Sequence, residues 1–205
     1  MPFSDNACMD LTSRSLLQRV QSSTDEESWD RLVSIYMPLL QRWLQQYELQ
    51  SSDAEDLIQD VLSVVARDVT TFEHNGRRGA FRSWLKTILI NRLRNFWRSR
   101  NYRPAAGGGS DNQLHLQQLE DPASAVSVAW NREHDQVVLA RLWAMIEPRF
   151  SEKTCTAFRR QVMDGLSAAE AAEELDMTVN AVLIAKSRVL KELRREGQGL
   201  LEDLE

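Results

Sequence analysis

Residues 77–103 read RRGAFRSWLKTILINRLRNFWRSRNYR, with nine Arg or Lys and no Asp or Glu. Phe81, Trp84, Leu85, Ile88, Leu89 and Phe96 recur on one face at helical spacing, which predicts an amphipathic helix. Arg82 and Lys86 fall to one side of the opposite face, Arg94 and Arg98 to the other. Trp97 projects next to Lys86 on the side of Arg82 and Lys86, away from the apolar centre, and so suits stacking better than Trp84, which is assigned to the core. The chain as a whole carries −5, so the other 178 residues hold about −14. Such segregation repels itself, and a nucleic acid is the commonest partner that relieves it. Arginines grip phosphates and rings stack on bases. A packed aromatic face with a solvated basic back accounts for the same pattern.

Working outward, the rest of the chain also reads as helix. Eight Gly and five Pro in 205 residues, with no alternating β-branched runs, predict an all-α fold of two small helical domains. The expected layout is an N-terminal segment over 1–22 and a first domain over 23–103. A flexible linker follows over 104–130, then a second domain over 131–205. Thr24-Asp25-Glu26-Glu27 and Ser52-Asp53-Ala54-Glu55 match capping boxes. Pro38 is expected to kink or split the helix that Thr24 opens. The loop from Glu73 to Gly79 holds two glycines and no apolar residue. Pro104 stops the basic helix, and PAAGGGSDNQ at 104–113 has linker composition.

In the second domain, Ser167-Ala168-Ala169-Glu170 is a third capping box and opens a short helix. Asp176 and Met177 form a turn, and Thr178 caps a longer helix. Short helix, tight turn and longer helix is the spacing of a helix-turn-helix, for which a plain helical hairpin is the alternative. Val179, Val182, Val189, Leu190 and Leu193 share one face of the longer helix. Asn180, Ala181, Ile184, Ser187, Arg188, Lys191 and Arg195 share the other, which could enter a major groove.

Other chemistry is weakly represented. Cys8 and Cys155 form no cluster, and the three histidines, His74, His115 and His134, are scattered. No catalytic residue, metal site or cofactor is expected. The N-terminus lacks the basic start and apolar core of a signal peptide, and no stretch is apolar enough to span a membrane. A reduced cytoplasmic setting fits best.

Two stretches in fixed order resemble a known family. SDAEDLIQDVLSVVARDVTTF followed by GAFRSWLKTILINRLRNFWR resembles the second conserved region of bacterial sigma factors. GLSAAEAAEELDMTVNAVLIAKSRVLKELR resembles their fourth region. The short two-domain layout is similar to the extracytoplasmic-function (ECF) group. The resemblance implies a dissociable subunit that binds core RNA polymerase, recognises a promoter and helps to melt it. It implies that Asp53, Glu55, Asp56, Gln59 and Asp60 dock on the clamp of the largest polymerase subunit. The flap of the second-largest subunit is a further implied contact. The loop holding His74, Asn75, Arg77 and Arg78 matches the family's base-capture loop for the minus-ten element. Arg82, Lys86, Asn91, Arg92, Arg94, Asn95 and Arg98 match its promoter-facing helix. Minus-thirty-five reading falls to Thr178, Asn180, Ala181, Ile184, Ser187, Arg188 and Lys191. Leu183, Ile184 and Ala185 stand where many relatives carry polar or basic residues, which leaves fewer hydrogen bonds for direct base readout. Lys186 stands where a core aliphatic is usual, so its stem is expected to be buried with the ammonium emerging. An anti-sigma protein is an implied regulator. A stand-alone helix-turn-helix regulator is the alternative function, but it leaves the acidic and basic helices of the first domain unexplained.

Overall fold

The computed structural model describes residues 15–22, 26–73, 79–99 and 108–201. These residues form helices joined by short turns, with one isolated bridge between Gln198 and Leu201. In chain order the α-helices are α1 (Leu16–Gln21), α2 (Glu26–Leu44), α3 (Ser51–Asp68), α4 (Ala80–Ser99), α5 (Gly108–Glu120), α6 (Ala125–Ile146), α7 (Glu152–Val162), α8 (Ala168–Glu174) and α9 (Val179–Gly197). Short 3-10 turns follow α3 and α6.

The apolar stripes decide the packing. Leu32, Ile35, Tyr36, Leu39, Leu40 and Trp43 of α2 are buried, as are Leu57, Ile58, Val61, Leu62 and Val65 of α3. Against them α4 lays Phe81, Leu85, Leu89 and Leu93. Each stripe follows the three-and-four spacing of a helix that covers a core. Helix α2 runs through Pro38 without a break, so the helix is not split there. The hydrogen bond that Pro38 cannot donate belongs to Ser34, an exposed residue whose carbonyl water can reach.

Capping agrees with the sequence in part. Ser167 accepts from the Glu170 backbone and Glu170 returns the bond, so the third capping box is formed. Thr178 accepts from the Ala181 amide. The second box is not formed: α3 starts earlier, with Gln50 at the cap position and no side-chain cap bond, while Ser51 Oγ bonds the Glu55 carboxylate. Asp53 is thereby carried into the first turn and is buried. Ser15, Ser124 and Ser151 supply further caps. The box at Thr24 and the helix stop at Pro104 lie outside the described residues.

The larger difference concerns 104–130. Helix α5 occupies 108–120, and α6 begins at Ala125. Leu116 and Leu119 bury themselves, and His115 meets the Tyr47 hydroxyl at 3.0 Å, so tertiary contacts override the linker composition. The expected boundary at 130/131 falls inside α6. The amino half of α6 packs on the first bundle through Trp130, whose ring meets Trp43 edge-on at 4.6 Å. Its carboxyl half packs under α9 through Leu142 and Ile146. One continuous core therefore runs from Leu16 to Leu200. A smaller cluster of Ala157, Ala171, Ala172, Val182 and Ala185 sits beneath the last three helices.

Candidate nucleic-acid interface

Two surfaces of opposite charge lie side by side in the first bundle. Helix α3 exposes Glu55, Asp56, Gln59 and Asp60, while its apolar stripe packs beside α4. Four of the five expected docking residues thus share an accessible face. Asp53 is the exception, at 6 % exposure.

Helix α4 divides differently from its projection. Asn91, Asn95 and Arg98 are exposed, and Arg92 is half-buried. Three other cations turn to the following helices. Arg82 pairs with Asp135 of α6 at 2.6 Å, Lys86 Nζ donates to Ser127 Oγ at 2.6 Å, and Arg94 grips Glu120 of α5 through both nitrogens at 2.5 and 2.6 Å. Lys86 is buried, and burial together with the Arg82 charge holds its ammonium below the ordinary lysine range. Asp135 also receives His134 Nδ1 at 2.9 Å, and the buried His134 meets the Tyr36 hydroxyl at 3.0 Å. Burial pushes the Asp135 carboxyl up, but the bond to His134 and the Arg82 charge outweigh it, and the net shift is downward.

The aromatic residues are committed as well. Trp84 packs against Phe72 and Phe81, with ring centroids 5.0 and 5.4 Å away, in keeping with its core assignment. Trp97, the expected stacking ring, packs edge-on against Tyr47 at 5.7 Å. His74, Asn75, Arg77 and Arg78 lie outside the described residues. Gly79, which ends that loop, adopts φ 69°, and a β-carbon there would approach the Arg82 guanidinium.

The second surface is simpler. On α9, Val182, Ala185, Val189 and Leu193 are buried, and Thr178, Asn180, Ile184, Ser187, Arg188 and Lys191 are exposed, with Ala181 half-buried. Lys186 is half-buried, as its position predicts. Val179, at the first turn of α9, departs from the buried face it was expected to share and is 45 % exposed. The turn ahead of α9 uses Asp176 in the left-handed region, φ 49°, and Lys153 Nζ donates to its carbonyl at 3.1 Å. Short α8, this turn and the longer α9 follow one another in the order that the sequence predicts. The small Ala171 and Ala172 let the two helices approach closely.

Residues 32–103 match the family model described as Sigma-70 region 2. The ECF RNA polymerase sigma-E factor of Haemophilus influenzae is 24 % identical over 188 residues, covering 88 % of this chain and 91 % of that protein. Both matches support an ECF sigma factor that serves transcription initiation. The solved structure of CnrH in complex with the cytosolic domain of CnrY is 20 % identical and covers 89 % of this chain and 94 % of that one, with a TM-score of 0.37. Among the described residues of this sigma factor, no helix is long and apolar enough to cross a membrane.

Sequence reasoning missed the partners of the α4 cations. Glu120, Ser127 and Asp135 lie 26 to 53 residues from them along the chain. It missed equally the buried pair between Arg19 of α1 and Glu196 of α9, 177 residues apart at 2.8 Å. Neither set carries a local sequence signal.

Proposed function

We propose that this sigma factor docks on core RNA polymerase through the exposed acids of α3 and reads promoter DNA with two surfaces. The observation that carries the reading is the pairing, inside the matched segment, of an acidic face on α3 with a cationic helix, α4. An acidic face with an apolar margin suits a basic protein surface such as the polymerase clamp. Asp53 is buried in the first turn of α3, and Glu55, Asp56, Gln59 and Asp60 make the contact.

In this reading α4 and the 74–78 loop engage the minus-ten element, with arginines on phosphates and Asn91 and Asn95 nearer the bases. Unstacking a base costs a few kcal/mol, which contacts to the flipped base repay. The exposed face of α9 takes the minus-thirty-five element. Arg188 and Lys191 contact phosphate or base, Ile184 meets a thymine methyl, and DNA shape supplies the rest of the discrimination. The second domain also meets the flap of the second-largest polymerase subunit. Binding and strand capture carry the function without any bond being made or broken by the protein. Two modest DNA surfaces gain from effective concentration once polymerase holds both. A cytoplasmic location and control by an anti-sigma protein belong to the same reading.

The test is transcription in vitro with core polymerase on a promoter library, with and without this protein. Specific transcripts that depend on the protein and disappear with Asp56→Arg/Asp60→Arg support the reading. Transcripts that do not depend on it overturn the reading.

A further inference from the structure

Eight large apolar side chains are exposed among the described residues, and three of them, Val179, Leu183 and Ile184, fall within the first six residues of α9. Single exposed apolar residues are ordinary, but a cluster marks a contact. Their placement on the helix is specific. Asn180, Leu183, Ile184 and Ser187 stand at i, i+3, i+4 and i+7, neighbours on one helical face, and all four are exposed. Leu183 and Ile184, 48 % and 45 % exposed, form the middle of this diamond, and two hydrogen-bonding side chains close its ends. Val179, four residues before Leu183, extends the apolar strip. Val182, Ala185 and Val189 fill the core side of the helix, so the diamond faces outward.

Charge says what this face can meet. Residues 178–191 hold no Asp or Glu, and Arg188 and Lys191 are exposed one turn beyond Ile184 and Ser187. An apolar centre with a cationic margin suits a polyanion that displays an apolar group. Duplex DNA displays one in its major groove, the C5-methyl of thymine. The amino end of a helix laid in that groove is the part that meets base edges. Few hydrogen bonds are on offer there. Thr178 Oγ already accepts from the Ala181 amide at 3.1 Å, which leaves Asn180 and Ser187.

We propose that the amino half of α9 is a reader of C5-methyl groups, with Leu183 and Ile184 closing on thymine methyls while Asn180 and Ser187 set the register. The inference rests on the DNA reading of α9 and goes beyond it by naming Leu183 and the chemical group that selects the bases. Asn180 carries the amide that pairs with adenine through two hydrogen bonds. The selected element is therefore rich in thymine beside the base that Asn180 reads. Each methyl buried against Leu183 or Ile184 is worth about a fourfold change in affinity.

The test uses the full chain with core polymerase. Promoter templates selected from the library are rebuilt with deoxyuridine in place of thymidine within the minus-thirty-five element alone, which removes only the methyls. Transcription at limiting holoenzyme should fall about fourfold for each contacted methyl. Leu183→Ala/Ile184→Ala should lower transcription from the thymidine template and make the protein indifferent to deoxyuridine. Both positions are exposed and Ala favours the helix, so the fold is kept, as circular dichroism checks. At a contacted position, 5-methyldeoxycytidine should be transcribed about fourfold better than deoxycytidine, because the methyl is the only difference between them.

Equal transcription from thymidine and deoxyuridine templates by the wild-type protein overturns the proposal. So does an equal deoxyuridine loss in wild type and double variant, which would assign the effect to the DNA alone. A double variant that loses co-purification with core polymerase would make the strip a protein contact and also overturns it. If deoxyuridine has no effect while Arg188→Ala still lowers promoter-directed transcription, the methyl reader fails and the DNA reading of α9 stands. If no transcript depends on the protein, both fail.

Discussion

Helices α4 and α9 both read as cationic DNA faces, yet the structure treats them oppositely. On α9, Arg188 and Lys191 are exposed beside Asn180 and Ser187. On α4, Arg82, Lys86 and Arg94 are spent on Asp135, Ser127 and Glu120. Both helices present cations opposite an apolar stripe, so pattern alone does not separate them. What separates them is α5, which carries Glu120, together with α6, a 22-residue helix whose amino half lies on the first bundle and whose carboxyl half supports α9. A face is available only if nothing else in the chain meets its chemistry first.

The sharpest way to break the difference is to release α6. Trp130→Ala leaves a cavity against Trp43 and should cost about 3–5 kcal/mol in urea denaturation. If the two halves were independent, the loss would be confined to one of two transitions; a shared core predicts one cooperative transition that moves as a whole. Next in size, Asp56→Arg with Asp60→Arg sets like charges against a basic partner, which costs several kcal/mol. Co-purification with core polymerase should fall on the order of 100-fold while circular dichroism stays unchanged.

The salt dependence of DNA binding sharpens the comparison directly. Arg188→Ala should reduce the slope by about 0.9, the loss of one phosphate contact. Arg94→Ala should change it less in free protein, because Glu120 and DNA compete for that guanidinium. Equal losses at the two sites would place both faces in the same state. Smaller again, Ser167→Ala removes the cap of α8 and should cost about 1 kcal/mol without altering the α4 contacts.

Acid should weaken the fold. For Glu196, burial pushes the carboxyl up, but the bonds from Arg149 and Arg19 outweigh it, and its net shift, like that of Asp135, is downward. A depressed folded value means that the stabilisation is complete above the ordinary carboxylate range. It is lost as pH falls through the folded values. The arginines facing these groups keep their charge across that window. Thermal stability should therefore be flat near neutrality and fall in acid, and Arg19→Met should flatten that fall.

The sequence was most legible where structure is local. The stripes of α2, α3 and α4, the Ser167 box and the Thr178 cap all follow from spacing of a few residues. The exposed row from Asn180 to Lys191 follows from the same periodicity. Two local readings failed at helix starts: Ser52 lost its cap when α3 began at Ser51, and Val179 preceded the covered part of α9. The segment 104–130 misled for another reason. Its glycines and serine have linker composition, but Leu116, Leu119 and Trp130 find partners in Tyr47, Trp43 and their neighbours, which no window of sequence contains. Arg19 with Glu196, and Arg82 with Asp135, are likewise visible only once the chain is folded.

The distance between the two halves tests the central claim most directly. Spin labels at the exposed positions Thr87 of α4 and Gln198 beyond α9, in a Cys8→Ser background, report it by pulsed electron resonance. The account predicts one narrow distribution in free protein, set by the core that the two halves share. A broad distribution, as from two independently moving halves, would contradict it.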